Sequence, residues 1–265
     1  MTEGIDALTA AALGALQGMT EFLPVSSSGH VAIAAHFFHI EENSLALVIL
    51  LHLGTLLATV LLFRRDLAAL VTEGFAALRD PTRLRATTEG RALTAIVIAT
   101  VMTAVLGLLL RKLAETFAED LHLVGYGLLV SAAFLLASGT ARGTSAEVTW
   151  WQAVGIGVMQ GVAVLPGVSR SGVTIAVAML LGVQGNAAFR FSFLLSVPAI
   201  IGAALLEASG AGGLGSMGLH AWVGGAVAFV TGCLSLVILR CIVLVGRMWT
   251  FAIYLLPLGF FLISR

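Results

Sequence analysis

Two long apolar stretches of this chain, residues 7 to 39 and 150 to 184, are each interrupted near the middle by a short run rich in Pro, Gly and Ser. Lipid offers an exposed backbone no hydrogen-bond partner, so irregular chain at membrane depth survives only where protein or a watery cavity satisfies it. Each stretch is also too long for one crossing of a hydrocarbon core, which takes about 20 residues. A re-entrant hairpin of two half-helices meets both limits. The interrupting runs are copies of each other: Gly14, Gln17, Gly18, Val25, Ser26, Ser28 and Gly29 recur 143 positions later as Gly157, Gln160, Gly161, Val168, Ser169, Ser171 and Gly172, seven identities in sixteen positions without a gap. Broken hydrophobic segments at matching places in two halves point to a binding site where the halves meet.

With 59% hydrophobic residues, 11% charged and a mean hydropathy of +1.04, the chain cannot hide its apolar surface in a soluble fold, and a polytopic membrane protein is expected. Fourteen basic and fourteen acidic residues cancel to a formal net charge of zero, which gives no support to nucleic-acid binding. Glu3 and Asp6, with no early Lys or Arg, do not make the positive region of a cleaved secretory signal, so the first hydrophobic segment is expected to stay. Cys233 and Cys241 share one predicted span, about 12 Å apart at the helical rise, too far for a disulfide.

Six further segments are long enough to cross: 44 to 63, 92 to 110, 121 to 139, 189 to 207, 220 to 239 and 248 to 264. The fold class expected is therefore all-α and polytopic, with about six full spans and two re-entrant hairpins in an inverted-topology repeat. Residues 1–265 are expected to form a single membrane domain, with repeat one at 7–139 and repeat two at 150–264. Arg64, Arg65, Arg79, Arg83, Arg85 and Arg91 crowd the 64–91 loop, and Arg142, Arg190, Arg240 and Arg247 fall on the same side if the spans alternate. Arg111, Lys112 and Arg265 fall opposite, and Arg170 lies inside the second hairpin. This bias makes the 64–91 loop cytoplasmic. Three spans separate the hairpins, so they enter from opposite leaflets and their serine loops meet near the midplane. Within the 64–91 loop, Arg65, Asp66, Glu73, Arg79 and Asp80 alternate with apolar residues, which predicts a surface helix ending before Pro81.

Of the acidic residues only Glu21 lies deep in an apolar region, and its basic counterpart is Arg170. Each costs about 2.5 to 3.5 kcal/mol or more at the bilayer centre, so each is a functional candidate. One bland reading is that they pair only to hold the hairpins together. Ser26, Ser27, Ser28, Ser169, Ser171 and Thr174, however, are more hydroxyls than one pair requires. Another bland reading is that these hydroxyls only cap helices, which leaves Arg170 and His30 unexplained. Half-helices starting near Gly29 and Gly172 would turn positive N-termini toward a common anion, and the guanidinium of Arg170 suits bidentate phosphate contact. Gly167 belongs to the same loop. His30 lies three residues past Ser27 and four past Ser26, within reach on one turn, and can serve as base, acid or nucleophile. His36, His39 and His52 read as packing residues. Gln17 and Glu21 share a helical face; with substrate phosphate and water they could complete a Mg²⁺ or Ca²⁺ shell.

The stretches Gln17-Gly-Met-Thr-Glu21-Phe-Leu-Pro-Val-Ser-Ser-Ser-Gly-His30 and Pro166-Gly-Val-Ser-Arg-Ser-Gly-Val-Thr174 resemble the undecaprenyl pyrophosphate phosphatase family, as do His52-Leu-Gly-Thr and Phe191-Ser-Phe-Leu-Leu-Ser-Val-Pro198. The resemblance implies an integral enzyme of the bacterial plasma membrane, with its site opening to the outer side. Such an enzyme removes the terminal phosphate of the C55 lipid carrier and regenerates the monophosphate for cell-wall synthesis. It implies roles for Glu21, Ser27, His30, Ser169, Arg170, Ser171 and Thr174. The mechanism expected has either Ser27 attack while His30 takes its proton, or His30 itself attack or activate water. Gln17 stands where many members carry a second glutamate, which bears on metal dependence. The partners expected are undecaprenyl pyrophosphate, membrane lipids and a second copy of the chain in a homodimer, with no nucleic acid. The rival readings are a secondary transporter or lipid-carrier translocase built on the same repeats, and a non-catalytic scaffold.

Overall fold

The computed structural model describes residues 6–38, 45–210 and 219–265; Glu3, His39 and residue 44 of the first expected span lie outside them. The described chain is helical, with no β-strand. α1 (Ala7–Phe22) and α2 (Ser27–Phe38) build the first hairpin, and α8 (Trp150–Val162) and α9 (Arg170–Leu180) the second. Between them run α3 (Leu45–Leu62), α4 (Arg64–Arg79), α5 (Arg83–Ala86), α6 (Thr88–Glu119) and α7 (Leu121–Ser138). After them come α10 (Gly185–Gly210), α11 (Leu219–Leu244) and, behind a 3₁₀ turn at Met248–Phe251, α12 (Ala252–Ile263).

Among the described residues four helical stretches, Thr88–Glu119, Leu121–Ser138, Gly185–Ala204 and Leu219–Leu244, are each long and apolar enough to cross a membrane. The protein is thus a multi-pass membrane protein. The first expected span instead continues through a bend of 80° into α4, and the last is a shorter apolar stretch, Met248–Ile263. The 64–91 segment is helical over most of its length: α4 ends at Arg79, before Pro81 as its pattern predicts, and α6 starts at Thr88. Glu73 clamps this corner. Its carboxylate accepts from Nε and Nη2 of Arg83 at 3.1 and 2.8 Å and from the Thr87 hydroxyl at 2.7 Å, and these bonds hold it below the usual carboxylate range.

The two halves interlock. α1 lies against α11, and α8 lies against α6, so the first half-helix of each hairpin packs on the middle spanning helix of the other half. Glycine permits the approach. A Cβ on Gly14 would stand 2.2 Å from the Gly224 carbonyl oxygen, and one on Gly157 would stand 2.4 Å from that of Ala99. The same crossings carry matching bonds: Thr231 Oγ1 donates to the Gly14 carbonyl at 3.5 Å, and Thr103 Oγ1 to that of Gly157 at 3.1 Å. Small residues that bring backbones together in this way are the usual means of helix association in lipid, where no hydrophobic force separates protein from solvent. Near the end of α1, Phe22 meets Phe193 of α10 edge-on at 5.7 Å, and Phe63 and Phe189 also pack on Phe193. This aromatic cluster fixes the residue next to Glu21.

Candidate active site

The serine loops hold their shape through their own hydroxyls. α1 stops at Leu23, because the following Pro24 disfavours helical backbone at that residue. Ser26 then caps α2, its Oγ accepting the Gly29 N–H at 3.2 Å. The same oxygen accepts the Gly167 N–H from the other loop at 3.1 Å, so one atom ties the two hairpins. Ser26 reaches this place with φ at +70°, a conformation costing about 1 kcal/mol or more for a residue with a side chain. Glycine would adopt it freely but has no oxygen to offer. Ser169 caps α9 in the same manner, accepting the Gly172 N–H at 3.2 Å. Gly167 takes φ +91°, and a Cβ there would stand 2.2 Å from the Val124 carbonyl oxygen. Ser131 of α7 pins this second loop, accepting from the Ser169 N–H at 2.7 Å and donating to the Gly167 carbonyl at 3.1 Å.

Where the loops touch, the ionisable residues from both hairpins meet. Arg170 Nη2 donates to Glu21 Oε1 in an ion pair whose side chains are 17% and 8% exposed. The other oxygen of Glu21 accepts the Ser27 hydroxyl at 2.8 Å and the Gln17 amide at 3.1 Å. A carboxylate buried this deeply is tolerable because a guanidinium, a hydroxyl and an amide all satisfy it. The contact between the two hairpins brings Gln17, Glu21, Ser26, Ser27, Gly167 and Arg170 into one cluster.

Other expected site residues point elsewhere. Ser28 is exposed and lies 3.4 Å from Ser26 Oγ, and buried Ser171 lies 3.4 Å from Ser169 Oγ. Thr174 is fully buried, its hydroxyl shared between the Arg170 carbonyl at 2.7 Å and Ser192 of α10 at 2.6 Å. It braces the Arg170 turn from behind. His30 differs most from its expected pairing. Its Nδ1 lies 2.8 Å from the Ser26 carbonyl and its Nε2 lies 2.7 Å from the hydroxyl of Tyr254, while the Ser27 hydroxyl goes to Glu21. Spacing alone allowed Ser27 and His30 to meet. The ring instead satisfies the carbonyl one turn back, which swings Nε2 toward α12.

Tyr254, Ser131 and Ser192 join the site from outside the serine motifs. Each is a polar atom inside an apolar segment, a signal that a partner is needed, but nothing in the spacing names the partner. His52 Nδ1 lies 2.9 Å from the Val48 carbonyl. No group of three or more His, Cys, Asp or Glu side chains suited to a metal gathers among the described residues.

A family model described as "Bacitracin resistance protein BacA" matches residues 10–261. The chain is 40% identical over 262 residues to a protein of Desulforapulum autotrophicum named undecaprenyl-diphosphatase, covering 93% of this chain and 94% of the relative. A protein of the same name from Desulfosudis oleivorans is 42% identical over 265 residues, again covering 93% and 94%. Another from Korarchaeum cryptofilum is 36% identical over 255 residues, covering 95% and 96%.

Proposed function

The chain belongs to the BacA family of bacitracin resistance proteins, and from this membership we propose that it is a membrane-integral phosphatase that hydrolyses undecaprenyl pyrophosphate to the monophosphate and inorganic phosphate. The observation that carries the reading is the meeting of Glu21, Ser27 and Arg170 across two hairpins. Hydrolysis of a phosphoric anhydride needs a nucleophile, an acceptor for its proton and a cation for the charge on the transferred phosphoryl group. Those three residues have those chemistries. A secondary transporter or lipid-carrier translocase would need only to bind, and the names of the relatives quoted give it no support.

In the proposed sequence Glu21 occupies the anion place of Arg170 at rest, and the phosphates of the lipid compete for that guanidinium. Ser27 Oγ attacks the terminal phosphorus and its proton passes to Glu21. The bond from that phosphorus to the bridging oxygen breaks, and the lipid monophosphate leaves. Water then attacks the phosphoserine as its proton passes to His30 Nε2; the bond from phosphorus to Ser27 Oγ breaks, Glu21 returns its proton to that oxygen, and phosphate departs with the proton that His30 gives up. Ser169, Ser171 and the N-terminus of α9 assist by holding the loop that carries Arg170. The arginine bias supports a bacterial plasma membrane orientation in which the site opens to the outer side.

Gln17 and Glu21 do not fit a resident Mg²⁺ or Ca²⁺. Both carboxylate oxygens of Glu21 are engaged by Arg170, Ser27 and Gln17, and Gln17 presents its amide donor. Any divalent cation in the reaction is proposed to arrive with the diphosphate.

The test is phosphate release by detergent-purified protein given undecaprenyl pyrophosphate, with labelled terminal phosphate and peptide mapping. Release matched by monophosphate, with label trapped on Ser27, is the expected result. Label on His30 would reassign the nucleophile, and movement of intact diphosphate between leaflets without release would replace the phosphatase by the transporter.

A further inference from the structure

The two nitrogens of His30 are spoken for in a way that settles the tautomer. The Ser26 carbonyl 2.8 Å from Nδ1 can only accept, so Nδ1 carries the hydrogen and a neutral ring presents its lone pair at Nε2. That lone pair faces the Tyr254 hydroxyl at 2.7 Å, and the two rings stack with centroids 5.7 Å apart and planes 23° apart. Tyr254 comes from α12, in the opposite half of the chain, and is 49% exposed. Packing alone does not account for a half-exposed phenol aimed at an imidazole.

We infer that Tyr254 serves the reaction through His30, fixing the neutral ring with its lone pair at Nε2 and keeping it in one orientation when that nitrogen is protonated. A phenol hydroxyl can donate to the neutral Nε2 and, after that nitrogen gains a proton, accept from it. The proton of the attacking water reaches the ring along this bond: as the phenol hydrogen passes to Nε2 the phenol oxygen takes one from the water, and the return reverses both transfers. Tyr254 neither gains nor loses a proton overall. A carboxylate in its place would hold the imidazolium but would have no proton to offer the neutral ring.

The inference rests on the phosphatase reading, and its test separates the two. Tyr254→Phe keeps the ring stack and removes only the hydroxyl. It is expected to lower kcat roughly tenfold, the rate equivalent of one hydrogen bond on a positioned group, with KM for undecaprenyl pyrophosphate within about twofold and an unchanged melting temperature. The ¹⁵N imidazole signals of His30, assigned by their loss in His30→Gln, are expected to move in the variant. In a His30→Ala chain the Phe substitution is expected to cost nothing further. Unchanged kcat, or a lower kcat with unmoved His30 signals, overturns the inference. Should Tyr254→Phe melt early, Tyr254→Trp supplies a second stack without the phenol, and the same imidazole signals decide. If the wild type releases no phosphate at all, the phosphatase reading fails while the imidazole signals still report the His30–Tyr254 contact.

Discussion

In both hairpins a serine oxygen caps the second half-helix at 3.2 Å, Ser26 for Gly29 and Ser169 for Gly172, and in both a Ser-x-Ser pair of hydroxyls lies 3.4 Å apart. In both, the first half-helix crosses a spanning helix of the other half on a glycine. The side chains laid on this common frame are different. Moving 143 positions along, Glu21 becomes Val164, Ser27 becomes Arg170 and His30 becomes Val173. One hairpin carries the nucleophile, the carboxylate and the imidazole of the proposed reaction, and the other carries the cation. Their settings differ too: residues 171–179 of α9 are all buried, whereas α2 leaves Ser28 and Val31 exposed. A guanidinium meant to grip an anion profits from a rigid packed helix, and reactive groups need a way in for substrate. The duplicated frame holds the loops together while divergence at three positions supplies the chemistry.

The comparison breaks most visibly at the ion pair. Replacing either Glu21 or Arg170 by Ala leaves the other charge buried and alone, which costs about 3 to 5 kcal/mol of stability and is expected to abolish phosphate release. Thermal unfolding in detergent alongside a phosphate assay checks both. Adding Val164→Glu to the Glu21→Ala chain restores the carboxylate at the matching place in the wrong hairpin, and phosphate release should stay absent. Recovery of turnover would mean that the hairpins are chemically interchangeable.

The shared frame is tested by its glycines. Gly14→Ala and Gly157→Ala each drive a methyl into backbone of the opposite half, at an expected cost of about 1 to 3 kcal/mol, and the two melting temperatures should fall together. Gly107→Ala is the control, since nothing lies within 4 Å of a Cβ there; it should melt no lower than the wild type. A large loss at Gly14 with none at Gly157 would show that only one crossing holds the molecule together.

The smallest effect is expected outside the membrane, at a second carboxylate–guanidinium pair, Glu73 with Arg83. Bonds from Arg83 and Thr87 depress the Glu73 carboxyl in the folded protein, so its contribution is complete above the ordinary carboxylate range and is lost as pH falls through the depressed value. Protection of the amides of residues 64–91 against hydrogen exchange, taken relative to the unfolded chain at the same pH, should therefore fall on acidification, and Glu73→Gln should remove that dependence. An unchanged acid response in the variant would assign it to other carboxylates of the segment.

Much of this was legible in the order of residues. The hydropathy demanded a membrane protein, and polar breaks in two apolar stretches demanded hairpins, because lipid cannot satisfy an irregular backbone. The copies marked the two loops that touch, and Glu21 and Arg170 stood out because ionisable groups are costly there. Patterns of this kind repeat over a few residues or recur as copies, so burial in lipid writes them directly into the chain. Which hydroxyl meets which base is set otherwise. Ser27 could have faced His30 or Glu21, and the turn of the first loop, with Ser26 at φ +70°, gives it to Glu21. Thr174 could have faced a phosphate, and α10 takes it with Ser192. Tyr254 lies 224 positions from His30, and only the packing of α12 against α7, beside α2, brings them together. Periodicity and composition are properties of neighbours along the chain, whereas these contacts depend on how whole helices from opposite halves seat against one another.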